Sequence, residues 1–391
     1  MLNTKLSPWP SFTEQEIDAV ATVLRSGKVN YWTGTECRDF EKEFAAYVGC
    51  AHAVSLANGT LALDLALRVL GIGEGDDVIV TPRSFLASAS SVVNAGARPI
   101  FADVDRNTQN VSAATIAAVL TPSTKAILCV HLAGYPCDMD PIMDLARARG
   151  LYVIEDCAQA HGARYKGRHV GTIGDIGAWS FCQDKIMSTG GEGGMLTTND
   201  PAWWSAAWSY KDHGKSWKAV YETQHPPGFR WLHESFGTNW RMTEVQGTLG
   251  RIQLQCLDDW KARRQALAAR LDAVASGYPS IRVEAVPPYV DHAKYKHYMF
   301  VRPEALKTGV DRDALVARLT EEGVPCYQGS CSEMYLEKAF EGSGLRPSQP
   351  LPVARELGDT SLMFLVHPTI TDEQMDGVCA ALDRVLREAT R

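Results

Sequence analysis

A lysine near the middle of the chain has the surroundings that Schiff-base chemistry requires. Lys185 follows a short apolar strand that carries Ser180, and a glycine-rich run at 190–194 comes directly after it. A buried lysine has a lowered pKa, so its amine can form a Schiff base with an aldehyde. The glycines would let the backbone pass close to a flat ring. Taken alone, a lysine before a glycine loop is more often just an exposed side chain.

Two adjacent carboxylates, Glu155 and Asp156, end an apolar strand that begins near Tyr152. A carboxylate buried in a sheet is costly unless it meets a cation or several hydrogen-bond donors. One such cation is the protonated pyridine nitrogen of pyridoxal phosphate, which needs an anion if the ring is to act as an electron sink. A capping or salt-bridged surface acid is the alternative, and residue type alone does not separate the two.

A third feature, Asn58-Gly59-Thr60, stands between a predicted strand and an apolar helix. Gly59 lets backbone amides approach a ligand, Thr60 adds a hydroxyl donor, and the start of a helix favours an anion. Taken alone, this feature is better explained as a plain helix cap by Asn58. Together, however, the three features supply an anion cradle, a pyridinium partner and a Schiff-base lysine. The sequence therefore predicts a pyridoxal-phosphate site without a metal ion.

The elements that must position these residues alternate along the first half of the chain. Helices are predicted over 14–26, 39–47, 60–70, 85–95, 112–119 and 139–149, and strands over 53–56, 77–80, 99–103, 126–130 and 152–155. This order predicts a mostly parallel sheet that lies between layers of helices. Ligands bind beyond the carboxyl ends of strands in such sheets.

The rest of the chain has a different pattern. Six tryptophans between residues 203 and 240 favour buried packing or a subunit interface over a binding surface. A long helix is predicted over 243–275. Beyond it, a strand at 295–301, a helix at 311–322, a strand at 361–366 and a helix at 372–388 indicate a smaller α+β domain. We expect a large domain over 1–250, with an N-terminal arm of about residues 1–35 that packs on a small domain over 251–391.

Composition excludes several classes of protein. A net charge of −7 over 391 residues argues against nucleic-acid or anionic-membrane binding, since both normally need a basic surface. The ten cysteines include no C-x-x-C pair, which predicts free thiols in place of zinc ligands or a disulfide scaffold. No signal sequence or run of 18 apolar residues is visible, so we expect a cytoplasmic protein.

At these motifs the sequence resembles the DegT/DnrJ/EryC1/StrS family of sugar aminotransferases, which has the aspartate aminotransferase-like fold (fold type I of pyridoxal-phosphate enzymes). The resemblance runs through nearly the whole chain. Besides the three features above, it includes the segments 40–45, 71–76, 96–99, 124–127, 155–162, 165–167 and 237–242.

The resemblance implies a role for each of eight residues. Lys185 matches the Schiff-base lysine, which also shuttles protons during transamination, and Asp156 matches the partner of the pyridine nitrogen. Gln159 matches the residue beside the ring and its phenolic oxygen, and Phe85 matches the aromatic stacked on the ring. The phosphate binders are matched by Gly59, Thr60 and Ser180. Asn239 matches a phosphate ligand from the neighbouring subunit. The last match implies a homodimer with shared active sites.

The implied reaction moves an amino group from glutamate to a keto-deoxy-sugar on a nucleoside diphosphate, as in surface-polysaccharide or O-antigen biosynthesis. Two segments, 208–214 and 326–331, depart from the usual family pattern, so the sugar and its nucleotide stay open. Related dehydratases of this fold have histidine at the Schiff-base position, and lysine here argues for transamination. A non-catalytic homologue is the other alternative. A nicotinamide-dependent oxidoreductase lacks support, because 190–194 is not a G-x-G-x-x-G fingerprint that opens a helix.

Overall fold

The computed structural model describes residues 6–225 and 230–391. Its helices, in chain order, are α1 (Glu14–Ser26), α2 (Glu36–Val48), α3 (Gly59–Val69), α4 (Ala87–Asn94), α5 (Ala113–Ala117), α6 (Met139–Arg149), α7 (Pro201–Tyr210), α8 (Glu244–Ala275), α9 (Arg312–Glu321), α10 (Pro352–Thr360) and α11 (Asp372–Ala389). No helix within those two ranges is long and apolar enough to cross a membrane.

The strands of the described chain belong to three sheets. In chain order they are β1 (His52–Leu56), β2 (Asp77–Val80), β3 (Arg98–Phe101), β4 (Thr124–Val130), β5 (Tyr152–Asp156), β6 (Arg164–Tyr165), β7 (Arg168–His169), β8 (Ile176–Ser180), β9 (Gly194–Thr198), β10 (Ile281–Val283), β11 (Val290–Asp291), β12 (His297–Val301), β13 (Cys326–Tyr327) and β14 (Ser361–Phe364). The largest sheet has seven strands in the order β1-β9-β8-β5-β4-β2-β3.

The large sheet is parallel except at one strand, which confirms the predicted architecture. β2, β3, β4, β5 and β8 pair in parallel, whereas β9 runs antiparallel to both β8 and β1. A parallel pairing of β8 with β9 would need a crossover element, and the segment between them is only the glycine-containing loop that carries Lys185. The apolar strands pack against α3 and α4 on one face and against α6 on the other.

The cap residues that the sequence marks are in place, but one apolar stripe is wrong. Thr13 and Glu16 form the capping box of α1. The predicted stripe of this helix, Ile17, Val20 and Leu24, does not face the core: Ile17 is 50% exposed and Leu24 is 58% exposed. Glu16 is buried instead, because its carboxylate also accepts a hydrogen bond from Gln253 on α8, at 2.8 Å. A polar contact therefore sets which face of α1 docks.

The C-terminal part of the chain forms a second layer of sheet and helices, as the sequence predicts. Strands β10-β12-β14-β13 make an antiparallel sheet whose core is shared with α9, α11 and the second half of α8. Because α8 runs through residue 250, the domain division there stays a prediction. Near the N-terminus, Ser7 donates a hydrogen bond to Gln374 at 3.1 Å, so this part of the arm contacts α11. Residues 1–5 of the predicted arm lie outside the described residues.

The tryptophan-rich segment is mainly a packing element. Trp208 is buried, and its ring centroid and that of Trp204 each lie 5.1 Å from the ring centroid of Trp217. Trp231 differs, because its side chain is largely exposed. The prediction of buried packing is thus confirmed for Trp208 and not for Trp231.

Candidate active site

Three strands of the large sheet end together at the edge where the predicted residues lie. Gly194 on β9 faces Ser180 on one side and Leu56 on the other, so β8 and β1 finish at the same level. Asp156, the last residue of β5, pairs with Ala178 on β8. The sheet therefore delivers the turn after β1, the acid of β5 and the serine of β8 to one place.

The turn after β1 is both a helix cap and a close backbone approach. The side-chain oxygen of Asn58 accepts a hydrogen bond from the amide of Leu61 at 3.0 Å, which caps α3. A Cβ atom on Gly59 would lie 2.5 Å from the Cβ of Ser180, so only glycine allows this contact. The first turn of α3 consequently rests on Ser180, and its free amides and positive dipole end are suited to an anion.

Asp156 is a buried acid held by two donors. The hydroxyl of Ser88 donates to one oxygen at 2.8 Å, and the amide of Ala158 donates to the other at 3.1 Å. Burial raises the pKa of Asp156 even though these bonds and the Lys185 charge act to lower it. A cation placed at this carboxylate would stabilise its charged form. Sequence reasoning missed Ser88, because a serine in an apolar helix gives no functional signal.

The neighbouring Glu155 points to the other face and is fully occupied. Its carboxylate meets the His131 ring at 3.0 Å and accepts hydrogen bonds from the amides of Gly171, Ile173 and Gly174. Burial alone would raise the pKa of Glu155, but His131 and these amides outweigh it and hold that pKa below its ordinary value. Glu155 therefore has a structural role.

A possible metal set overlaps this carboxylate. Ligand atoms of His131, Glu155 and Cys157 lie within 4.8 Å of one another. The bonds to His131 and to backbone amides already use both oxygens of Glu155. Burial also raises the pKa of Cys157 well above its ordinary value, which disfavours the thiolate that a metal needs. This chemistry explains the three residues without a metal ion.

Lys185 lies in the loop that follows β8. Its amide donates to the carbonyl of Cys182 at 3.1 Å, and its own carbonyl accepts a hydrogen bond from the indole of Trp9 at 2.8 Å. The amine nitrogen lies 5.2 Å from the ring centroid of Tyr295. The loop then turns through Gly191, whose φ of +113° is strained for any other residue. Nothing in the sequence near Trp9 signals its contact with this loop.

Gln159 and Phe85 flank the same edge of the sheet. The side-chain oxygen of Gln159 accepts a hydrogen bond from the amide of Ala133 at 2.7 Å, which fixes its orientation. Phe85 lies between β2 and α4, and the residue is 72% exposed. An apolar ring that is left open at the carboxyl edge of a sheet is suited to cover a flat ligand.

Asn239 is exposed, on a segment that contacts the turn before α3. It pairs with Asp212 through an antiparallel bridge, and Asp212 is buried between Arg241 at 2.7 Å and Lys215 at 3.1 Å. The next residue, Trp240, accepts a hydrogen bond from the amide of Ala57, so this segment passes beside the turn that precedes α3. The buried acid thus anchors a segment whose Asn239 faces outward.

The parts of this site fit pyridoxal 5′-phosphate. Because Gly59 has no Cβ, the start of α3 packs directly on Ser180, and its amides can face a phosphate. Asp156 is a buried acid whose pKa is raised. Lys185 follows on the loop after the serine strand. A mostly parallel sheet with these groups at its carboxyl edge defines a pyridoxal-phosphate enzyme of fold type I.

Comparison with known proteins identifies the group within that class. Residues 10–383 match the model of the DegT/DnrJ/EryC1/StrS aminotransferase family. The GDP-perosamine synthase of Escherichia coli O157:H7 is 35% identical over 375 residues, which cover 96% of each chain. The dTDP-3-amino-3,4,6-trideoxy-alpha-D-glucose transaminase of Streptomyces venezuelae is 36% identical over 356 residues, or 91% of this chain and 88% of that enzyme.

A solved structure is similar over the whole fold. An aminotransferase from Psychrobacter cryohalolentis has a TM-score of 0.96 and 59% sequence identity, and the match covers 98% of this chain and 99% of that one. The present chain therefore belongs to the DegT/DnrJ/EryC1/StrS aminotransferase family, and it is a pyridoxal-phosphate-dependent aminotransferase.

Proposed function

We propose that this enzyme transfers the amino group of glutamate to a keto-deoxy-sugar linked to a nucleoside diphosphate. The observation that carries the proposal is Lys185 on the loop after β8, in a site that also holds the acid Asp156 and the anion cradle of α3. Two relatives of the chain are named for nucleotide-linked amino sugars, which supports a nucleotide-linked sugar as the amino acceptor.

We assign the cofactor contacts to the residues at the edge of the sheet. Gly59, Thr60 and Ser180 would bind the phosphate at the start of α3. Gln159 and Phe85 would orient the ring. These roles rest on the placement of the five residues beyond the ends of β1, β2, β5 and β8 and on the family resemblance.

When bound, pyridoxal phosphate supplies an aldehyde and an electron-withdrawing ring. Asp156 would hold the proton on the pyridine nitrogen, because a carboxylate at that position favours the charged ring. Lys185 would carry the cofactor and would then move the proton at the substrate carbon that bears the nitrogen. The alternative function is removal of a sugar hydroxyl. The related dehydratases have histidine in place of this lysine, so Lys185 argues against that function.

We further propose a homodimer in which Asn239 reaches the phosphate of the partner's site. The exposure of Asn239, and the buried Asp212 that anchors its segment, support this assignment. All ten cysteines are free thiols, which suits a reducing compartment and supports the prediction of a cytoplasmic enzyme.

A panel of nucleotide-linked keto-sugars tests the function. Each sugar is incubated with the enzyme, pyridoxal phosphate and ¹⁵N-labelled glutamate, and the masses of the products are measured by mass spectrometry. We expect at least one sugar to gain a ¹⁵N amino group while 2-oxoglutarate forms, and we expect Lys185→Ala to abolish both. Loss of water from the sugar without nitrogen transfer would instead identify a dehydratase. Cofactor binding with no reaction on any sugar would favour a non-catalytic homologue.

A further inference from the structure

A buried guanidinium next to the Lys185 loop has no role in the function proposed above. Arg264, in the middle of α8, is 2% exposed, and its Nη1 donates to the carbonyl of Tyr295 at 3.2 Å. Its guanidinium carbon lies 5.1 Å from the ring centroid of Trp9. Among the described residues, neither its Nε nor its Nη2 has a hydrogen-bond partner. Two unpaired donors on a buried cation are costly, so an anion in contact with them would be stabilised.

The amines of Lys185 and Lys296 lie near the same tyrosine, Tyr295. The nitrogen of Lys296 lies 4.6 Å, and that of Lys185 lies 5.2 Å, from the ring centroid of Tyr295, whose carbonyl Arg264 holds. Burial lowers the pKa of Lys296 to about 8, with Arg264 and Lys185 acting in the same direction against Asp184. Burial likewise lowers the pKa of Arg264 to about 9. Arg264 and Lys185 are thus close enough to Lys296 to disfavour its charge.

Asp184 is the acid that faces these cations. It accepts a hydrogen bond from the hydroxyl of Tyr295 and lies 3.7 Å from the nitrogen of Lys296. One carboxylate offsets only part of the charge of Lys296 and Arg264, and Asp156 is the other acid that acts on Lys185. The side chain of Asp184 is 58% exposed, so the cluster opens to solvent beside Lys185. A second anion would therefore be stabilised here.

We propose that Arg264 and Lys296 form a subsite for a carboxylate of the amino donor. The two unpartnered nitrogens are Nε and Nη2, which lie on the same side of the guanidinium. Their N–H bonds run parallel, so one carboxylate can accept both. The position beside Lys185 suits the donor, because its carboxylate is attached to the carbon from which the amino group leaves. The diphosphate of a nucleotide sugar is separated from the reacting carbon by atoms of the sugar. This inference rests on the proposed function, since it names the residues that would hold the carboxylate of the amino donor.

The holoenzyme and three variants test the subsite. Arg264→Met keeps an unbranched apolar stem and removes the charged group, Lys296→Met does the same at the second cation, and Arg263→Met is the matched control. Arg263 lies next to Arg264 on α8 but pairs with the exposed Asp372 at 2.8 Å. Binding of glutarate, an unreactive dicarboxylate, is measured by calorimetry, and the KM values of glutamate and of the keto-sugar are measured separately.

The expected result is a loss that is confined to the dicarboxylate. Arg264→Met should weaken glutarate binding and raise the KM of glutamate by about tenfold or more, the scale of one charge-assisted bidentate pair. Lys296→Met should act in the same direction, while Arg263→Met and the KM of the keto-sugar should stay at parent values. Should Arg264→Met fail to fold, as its melting temperature would show, Lys296→Met alone decides by the same readout.

Two outcomes would overturn the subsite. Unchanged glutarate affinity in the folded variants would show that no carboxylate binds there, and a raised KM for the keto-sugar alone would show that the diphosphate is the ligand. Failure of the proposed function is distinguishable, because glutarate binding can be read even when no keto-sugar is aminated.

Discussion

Two neighbouring carboxylates at the end of β5 have opposite surroundings. Glu155 faces His131 and three backbone amides, which leave its charge fully compensated. Asp156 faces Ser88 and the edge of the sheet, and burial raises its pKa. The alternation of side chains along a strand produces this division of roles.

Substitution to the amide should separate the two roles. Asp156→Asn should lower activity by about 100-fold or more with little change in stability, because an amide cannot keep the pyridine nitrogen protonated but can still accept the amide of Ala158. Glu155→Gln should lower the free energy of unfolding by about 3 kcal/mol, because its amide group would turn N–H donors toward backbone donors. Steady-state assays and chemical denaturation measure both effects. If Glu155→Gln proved the more damaging to activity in a stably folded protein, the two faces would be assigned the wrong way round.

At the scale of elements, the start of α3 depends on its contact with β8. Gly59 is the first residue of the helix, and Ser180 is the last residue of the strand beneath it. A side chain at Gly59 would separate the two elements, because its Cβ would lie 2.5 Å from the Cβ of Ser180. The amides that face the phosphate would then move with the helix.

Gly59→Ala should therefore weaken cofactor binding while the fold persists. We expect an affinity for pyridoxal phosphate at least about tenfold lower, equivalent to about 1.4 kcal/mol, measured by dialysis and cofactor absorbance. Gly73→Ala is the matched control, since its nearest neighbour would be the carbonyl of Ala95 at an ordinary 3.5 Å. Equal affinity of the Gly59→Ala protein and the parent would show that this contact does not shape the phosphate cradle.

The sequence predicts elements well where local signals agree. Capping residues such as Thr13 and Thr371, and the period of apolar residues, locate α1, α8 and α11 to within a residue or two. The face of α1 could not be predicted, because the Glu16–Gln253 contact joins positions far apart in the chain. The same holds in the site: Lys185 and Gly59 carry local motifs, whereas Ser88, Trp9 and Arg264 act through distant partners.

At the scale of the whole molecule, the proposed shared site makes each subunit depend on its partner. Two inactive variants, Lys185→Ala and Asn239→Ala, should complement each other when mixed and allowed to exchange subunits. One site of the heterodimer collects both defects and the other has neither, so activity should approach about a quarter of the parent value if pairing is random and the dimer is two-fold symmetric.

The complementation test needs two controls. Asn239→Ala alone must be severely impaired, and native mass spectrometry of differently tagged subunits must show that exchange has occurred. Activity that fails to recover under those conditions would mean that Asn239 serves its own subunit, beside the Ala57 turn that its neighbour Trp240 contacts.

The most direct test of the whole account is the identity of the lysine that carries the cofactor. The enzyme loaded with pyridoxal phosphate is reduced with borohydride, digested and examined by mass spectrometry, with Lys185→Ala treated in parallel. We predict one phosphopyridoxyl label, on Lys185, and none in the variant, which should still bind the cofactor through its phosphate and ring contacts. Label on another lysine, such as the buried Lys211 or the neighbouring Lys215, would contradict the assignment of the active site.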